Sequence, residues 1–154
     1  MKNMRRIERQ MAEKQALELL LAGEYGILAT VDRNQQPYGI PLSYVVIDNC
    51  VYFHCALEGH KLQNIAENSK ACFTVIGSIH LLPEKFSTNY ESVIAFGEVS
   101  IIADDEEKIM VLHEFVKKYS GAFTLEGNQY IDKAKQRTIV VKMIIRSFTG
   151  KHRV

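Results

Sequence analysis

Apolar residues recur at two kinds of spacing along this chain of 154 residues. In MAEKQALELLLA (11–22) they follow a helical period, and Gly23 is a suitable C-cap. A second helical pattern occupies KLQNIAENS (61–69). A third occupies 104–121, where acidic residues come first and lysines last, the order that a helix dipole favours.

The remaining apolar stretches are typical of β-strands. They cover the ranges 25–32, 40–48, 50–57, 71–82, 90–104 and 137–148. Polar turns at RNQQPYG (33–39) and Asp48-Asn49 predict an antiparallel meander, and Gly97 predicts a bulge or bend. Residues 83–89 are expected to form a loop, 122–136 to be irregular with some helical tendency near 130–136, and TGKHRV to be a tail.

Many short strands with few intervening helices favour a mainly β fold, an antiparallel barrel with flanking helices, over a doubly wound sheet. The G-x-G-x-x-G turn of dinucleotide-binding folds is also absent. The length suits a single domain over 1–154. We expect 1–23 to be an N-terminal helical segment and 104–121 a helix inserted between barrel strands.

The composition of the chain argues against several classes of function. The net charge of +1 gives no electrostatic case for nucleic acid or an anionic membrane. No apolar run approaches the ~20 residues of a membrane span, and glutamates interrupt any signal-peptide core, so a cytoplasmic location is expected. The cysteines, Cys50, Cys55 and Cys72, lack C-x-x-C spacing, so we expect buried reduced thiols and no metal site.

The stretch Gly59-His60-Lys61 ends a predicted strand and begins a predicted helix. Glycine permits a tight turn, the helix start offers backbone N–H groups, and the basic pair adds charge. Together these features indicate a phosphate cradle. An exposed loop with ordinary solvated basic residues is the alternative.

Two further stretches are candidates for a ligand cleft. Strand alternation places His54 with Tyr52 and Ala56 on one face, where its imidazole is either a structural group or a proton relay. In Pro41-Leu42-Ser43-Tyr44, proline removes a ladder donor, so the strand could present backbone groups to a heterocycle. Core packing of this segment is the alternative.

Several blocks of the sequence resemble the nitroimidazole resistance proteins. These proteins belong to the larger pyridoxamine 5'-phosphate oxidase-like group of flavin-binding split barrels. The blocks are PYGIPLSYVVIDNCVYFHCALEGHKLQNIAEN (37–68), SVIAFGEVSIIADDEEK (92–108), KKYSG (117–121), KMIIRSFTGK (142–151) and the basic start MRRIERQM. The resemblance implies a six-stranded antiparallel split barrel that forms a homodimer, with FMN at the subunit interface.

The resemblance also implies roles for particular residues. Gly59, His60 and Lys61 would bind the FMN phosphate, and His54 would be catalytic. The flavin would lie near the remaining positions, Pro41, Leu42, Ser43, Tyr44, Ala56, Phe96, Gly97 and Lys151, with Thr149 and Gly150 beside the last. The implied activity is FMN-dependent reduction of small electrophiles such as nitroimidazoles. The alternatives are a flavin-binding or sensing module without fast turnover and a haem-binding split barrel.

Overall fold

The computed structural model describes residues 4–153, so the first three residues of the expected N-terminal segment lie outside the described residues. Within the described residues there are four α-helices and seven β-strands, and short 3₁₀ turns connect some of them. The helices are α1 Glu13–Ala22, α2 His60–Glu67, α3 Asp105–Ser120 and α4 Thr124–Ala134. The strands are β1 Tyr25–Val31, β2 Pro37–Ser43, β3 Val45–Ile47, β4 Cys50–Cys55, β5 Lys70–Leu82, β6 Ser87–Ile101 and β7 Ile139–Arg153.

All seven strands belong to one antiparallel sheet in the order β2-β1-β5-β6-β7-β4-β3. The two edge strands, β2 and β3, are consecutive in the chain, so the sheet curls until its edges meet at one segment. This confirms the predicted mainly β architecture with flanking helices, consistent with a split barrel. The sheet has seven strands where six were predicted.

The extra strand arises from a break at Tyr44 in the predicted strand 40–48. The Tyr44 N–H donates to the Tyr119 hydroxyl at 2.9 Å, and its carbonyl accepts from Lys118 Nζ at 3.0 Å. Its backbone groups are therefore satisfied by α3 rather than by a neighbouring strand. The chain leaves β1 on one side of this residue and joins β4 on the other.

Apolar residues on the two faces of the sheet form two cores. The inner core fills the barrel and includes Leu20 of α1, Phe53 of β4 and Phe73 of β5, all fully buried. The outer core lies between α3, α4 and the outer face of β3, β4 and β7. Because alternate residues of β4 point to opposite faces, Val51 and Phe53 belong to the inner core and Tyr52 to the outer one.

Helix α3 is tied to the sheet near its start. Asp104 caps it by accepting from the Glu107 N–H at 2.8 Å. The Glu107 carboxylate then accepts from Lys142 Nζ at 2.9 Å and from the Tyr52 hydroxyl at 3.0 Å. These contacts fix α3 against β4 and β7, which places its later residues beside the break at Tyr44.

Two segments differ from the sequence-based expectations. The segment 124–134 is a regular helix that packs on α3 through Ile131, although Gly127 weakens its helical pattern. The expected tail continues β7 to Arg153, paired with β6 as far as Tyr90. The predicted turn at Asp48-Asn49 is confirmed, with both residues in the left-handed region.

All three cysteines are free; Cys50 is buried and the other two are half-buried. Within residues 4–153 no helix has the length and apolar character needed to cross a bilayer.

Candidate functional site

The split in the barrel begins where two strands stop pairing. The β3–β4 ladder ends at the pair Val45–Tyr52, beyond which β2 turns away to join β1. Continuing the register would bring Ser43 opposite His54, but β4 pairs there only with β7, through Val140. Two sequence-predicted stretches, Pro41–Ser43 and the end of β4, therefore flank the same split.

His54 lies on the same face of β4 as Tyr52, as strand alternation predicts, and this is the outer face of the sheet. Its ring packs edge-on against Phe115 of α3, with centroids 4.7 Å apart. The residue is otherwise exposed, and the water lost on the Phe115 side lowers the pKa of the imidazole below its usual value. At neutral pH His54 is therefore mainly an uncharged group that can donate one hydrogen bond and accept another.

The four residues Pro41 to Tyr44 do not face the same way. Pro41 and Ser43 are exposed, whereas Leu42 packs against the inner core. The Tyr44 side chain is fully buried, and its hydroxyl donates to the Leu20 carbonyl. Because β2 is an edge strand, it presents its unpaired backbone groups to the split, while Tyr44 belongs to the core.

Helix α3 supplies two residues that the sequence analysis did not single out. Lys118 Nζ donates to the Gly23 carbonyl at 2.7 Å and lies 4.1 Å from the centroid of the Tyr44 ring. Desolvation lowers the pKa of this lysine. Tyr119 stacks on Phe115 at 5.8 Å, and its hydroxyl donates to the Tyr44 carbonyl at 2.7 Å, so α3 connects the ring that covers His54 to the residue that follows β2. The only sequence signal was the block KKYSG, which contains both residues.

The Gly59-His60-Lys61 corner has the predicted strand–turn–helix geometry. Gly59, at φ +145°, is the N-cap of α2, and its carbonyl accepts from the Leu62 N–H at 2.9 Å. This glycine has no side chain that could satisfy the N–H groups of the first turn. The His60 ring packs against the ring of Tyr38 of β2, with centroids 4.1 Å apart and the planes tilted by 35°, so the corner lies at the start of the same edge strand.

Lys61 lies near the end of β4. Burial raises the pKa of the Cys55 thiol, and the charge of Lys61 partly offsets that rise. Ala56 is exposed in the connection that follows β4. The split, the free edge of β2 and the basic corner are therefore continuous along about 17 Å of strand, the length of five residue steps from Tyr38 to Ser43.

Three other expected residues are not brought to this place within one chain. Gly97 forms the predicted bulge with Phe96, and a side-chain carbon there would lie 2.2 Å from the Ile144 carbonyl oxygen. Lys151 lies eleven residues beyond Val140, the partner of His54, or about 36 Å along β7. Its amino group is 5.8 Å from the Tyr90 ring centroid.

A cavity of about 450 Å³ lies elsewhere, between α1 and the second half of β7. Thr149 and Gly150 line it, together with Gln10, Glu13, Asn49 and Arg146 among others. None of the residues at the split or the basic corner lines this cavity. We place the candidate site at the split because free strand-edge groups, a helix start and two basic side chains converge there. In the described part of the chain, no three His, Cys, Asp or Glu side chains are arranged to hold a metal ion.

The fold has close counterparts among solved structures. A candidate 5-nitroimidazole antibiotic resistance protein of Bacteroides thetaiotaomicron is 24% identical, with a TM-score of 0.78 over 93% of this chain and 86% of that one. A conserved hypothetical protein of Mycobacterium tuberculosis is 20% identical, with a TM-score of 0.82 over 98% and 91%. An FAD and haem binding protein of Mycobacterium smegmatis is 18% identical, with a TM-score of 0.68 over 94% and 73%.

These identities are low enough that the likenesses establish the fold alone. No curated protein sequence matches the chain. The sequence model of one family does match, over residues 12–152, which is nearly the whole chain. The chain belongs to the pyridoxamine 5'-phosphate oxidase family.

Proposed function

We propose that this protein is an FMN-dependent reductase of small electrophiles, of the nitroimidazole reductase type. The observation that carries the proposal is the continuity of the barrel split with a basic helix N-terminus. An edge strand and a histidine line the split, and Gly59, His60 and Lys61 form its basic end. Membership of a flavin-associated split-barrel fold supports the same reading.

The donors present fit a flavin mononucleotide. Lys61 and the first N–H groups of α2 would bind the dianionic phosphate, since a helix start and a cation both favour negative charge. The free edge of Pro41–Ser43 offers backbone hydrogen bonds to the polar edge of a flavin ring. When bound, FMN would supply the electron transfer, with electrons from an external reductant, while the chain positions it and excludes water.

His54 would orient the substrate at the outer mouth of the split. Because its pKa is lowered, the neutral imidazole is available at pH 7 to hydrogen bond a nitro group or a ring nitrogen. Proton donation from its charged form is favoured only as the pH falls. A His54→Ala protein should therefore bind FMN normally and reduce a nitroimidazole more slowly, and unchanged turnover would remove His54 from the mechanism.

We also propose that two chains form a homodimer and share the FMN sites. The outer face of β5 and β6 exposes Ile76 (47%), Ile94 (37%) and Phe96 (39%), apolar surface that a second copy would cover. Lys151 is remote from the split of its own chain, and in the dimer it would contribute to the FMN site of the partner chain. Light scattering at micromolar concentration tests this proposal, because a monomer with FMN bound would contradict a shared site.

Turnover tests the reductase proposal directly. The purified protein is loaded with FMN, given a chemical reductant without oxygen, and mixed with a nitroimidazole. Loss of the nitro absorbance at a rate above that of free FMN is expected. Equal rates would leave a flavin-binding or sensing module of the cytoplasm, the setting that three free thiols suit.

Haem is the second candidate, because one structural neighbour is described as an FAD and haem binding protein. His54 or His60 would then be the ligand. A visible spectrum separates the two cofactors: flavin gives bands in the blue and near ultraviolet, whereas haem gives a sharp Soret band.

A further inference from the structure

The buried polar pair Asn64–Thr30 lies directly behind the basic corner. Asn64 of α2 and Thr30 of β1 are 2% and 1% exposed, among apolar neighbours of the inner core. The Asn64 amide donates to the Thr30 hydroxyl at 3.0 Å, and that hydroxyl donates to the Tyr38 carbonyl at 3.4 Å. Two core positions that apolar residues could fill are therefore occupied by a hydrogen-bonded chain.

This chain of contacts closes a ring around the basic corner. Tyr38, whose carbonyl ends the hydrogen-bonded chain, is also the residue whose ring packs against His60. Asn64 and His60 are four residues apart on α2, one turn of the helix. The start of α2 is therefore connected to β2 twice, once through the core and once at the surface.

Apolar packing alone would not fix the helix so sharply. Leu62 and Ile65 press α2 onto the barrel, but contacts of this kind are non-directional and tolerate a small rotation or slide. Burying an amide costs free energy unless its hydrogen bond is formed, so only one position of the helix on the sheet is favourable. That position determines where the first-turn N–H groups and Lys61 lie relative to the edge of β2.

We propose that Asn64 and Thr30 are positioning residues for the phosphate corner: their buried hydrogen bond sets α2 against β2 so that the helix start can bind a phosphate beside the strand. This inference rests on the proposed FMN site and adds the residues that give it affinity for the phosphate. Neither residue contacts the ligand.

The test compares the affinities for FMN and for riboflavin, which differ only in the phosphate. The double variant Thr30→Val/Asn64→Leu removes both side-chain partners of the buried bond together, so neither of them is left unpaired in the core, and it should stay folded. We expect its preference for FMN over riboflavin to fall about tenfold while riboflavin binding stays unchanged, a difference of about 1.4 kcal/mol. A purely structural role would weaken both ligands alike.

Three matched variants complete the test. Thr30→Ser keeps the hydroxyl and should keep the FMN preference, whereas Thr30→Val alone should lose it. Glu67→Ala removes the carboxylate that accepts from the Arg33 N–H at 3.1 Å. This exposed hydrogen bond joins the far end of α2 to the connection between β1 and β2, and its loss should not change the preference for FMN.

Two results would overturn the inference, and they are distinguishable. If the wild-type protein prefers FMN and the folded double and Thr30→Val variants keep that preference, the positioning role is wrong and the phosphate site stands. If the wild-type protein binds riboflavin as tightly as FMN, the phosphate corner itself is wrong, and the positioning role fails with it.

Discussion

Lys61 and Lys118 are both half-buried lysines at the end of a helix, but the structure uses them differently. Lys118, in the last turn of α3, donates to the carbonyls of Gly23 and Tyr44 and covers the Tyr44 ring. A cation at that end of a helix is favourable. Lys61 lies in the first turn of α2, where a cation is unfavourable, and within residues 4–153 it forms no salt bridge.

This difference separates a structural lysine from a candidate ligand-binding one. The donors of Lys118 are already used by the fold, and they hold the strand break that opens the split. Lys61 adds positive charge to a helix start that is already positive, and a bound anion would make that arrangement favourable. Two experiments test whether the two lysines differ in this way, and two more test the strand break and the histidine beside them.

Lys61→Ala should give the largest effect, and on binding alone. A hydrogen bond to a charged group contributes about 1.5–3 kcal/mol, so FMN affinity should fall roughly 10- to 100-fold. Riboflavin affinity should not change, and the melting temperature should not fall, because Lys61 is an unfavourable cation at the start of its helix. Fluorescence titration measures both affinities, with Lys85→Ala, an exposed lysine at the β5–β6 connection, as the control. Unchanged FMN affinity would remove Lys61 from the phosphate site.

Lys118→Met should instead reduce stability. It removes two hydrogen bonds to backbone carbonyls, about 1 kcal/mol each, so the free energy of unfolding should fall by about 2 kcal/mol. In a chain of this size that lowers the melting temperature by about 4–8 °C. Lys117→Met is the matched control, since Lys117 is exposed and, among the described residues, its side chain is bonded only to Glu114. Equal melting temperatures for the two variants would contradict the structural role of Lys118.

Tyr119→Phe should have a smaller effect on the same strand break. The variant keeps the ring stacked on Phe115 but leaves the Tyr44 N–H without its acceptor, at a cost of about 1 kcal/mol. Urea denaturation measures the loss, and Tyr130→Phe, a change at an exposed tyrosine of α4, is the control. A Tyr119→Phe protein as stable as the control would show that α3 does not hold the break.

The pH dependence of His54 should be the smallest effect. The folded protein holds the pKa of His54 below its ordinary value of about 6.5, so the unfolded chain binds a proton first as the pH falls. The contribution of His54 to the free energy of unfolding is therefore complete above about pH 6.5 and declines as the pH falls below it. In urea denaturation between pH 7.5 and 5.5, the free energy of unfolding of the His54→Gln protein should change less with pH than that of the wild-type protein. An identical pH dependence would contradict the lowered pKa.

Alternation and turn residues were sufficient to predict most of the fold. They located the hairpin at Asp48-Asn49, the helix start after Gly59 and the bulge at Gly97. The break at Tyr44 could not be found in this way, because it depends on Lys118 and Tyr119, 74 and 75 residues away. The end of β7 was missed for a similar reason, since its strand structure comes from pairing with β6.

The parts of the candidate site that depend on residues close together in the sequence could be predicted. The parts that depend on packing between distant residues could not. Alternation placed His54 on the face opposite Phe53, and local sequence identified the start of α2. It could not show that Phe115 covers one side of His54. Nor could it distinguish the exposed Ser43 from the buried Tyr44, because both are polar-tipped residues in an apolar run.

A crystal structure of the protein soaked with FMN is the most direct test of the central claim. The account predicts density along the free edge of β2, with the phosphate in hydrogen-bond contact with Lys61 and the first N–H groups of α2. The ring would lie toward Ser43 and His54. Density in the cavity between α1 and β7, or a phosphate bound away from Lys61, would contradict it.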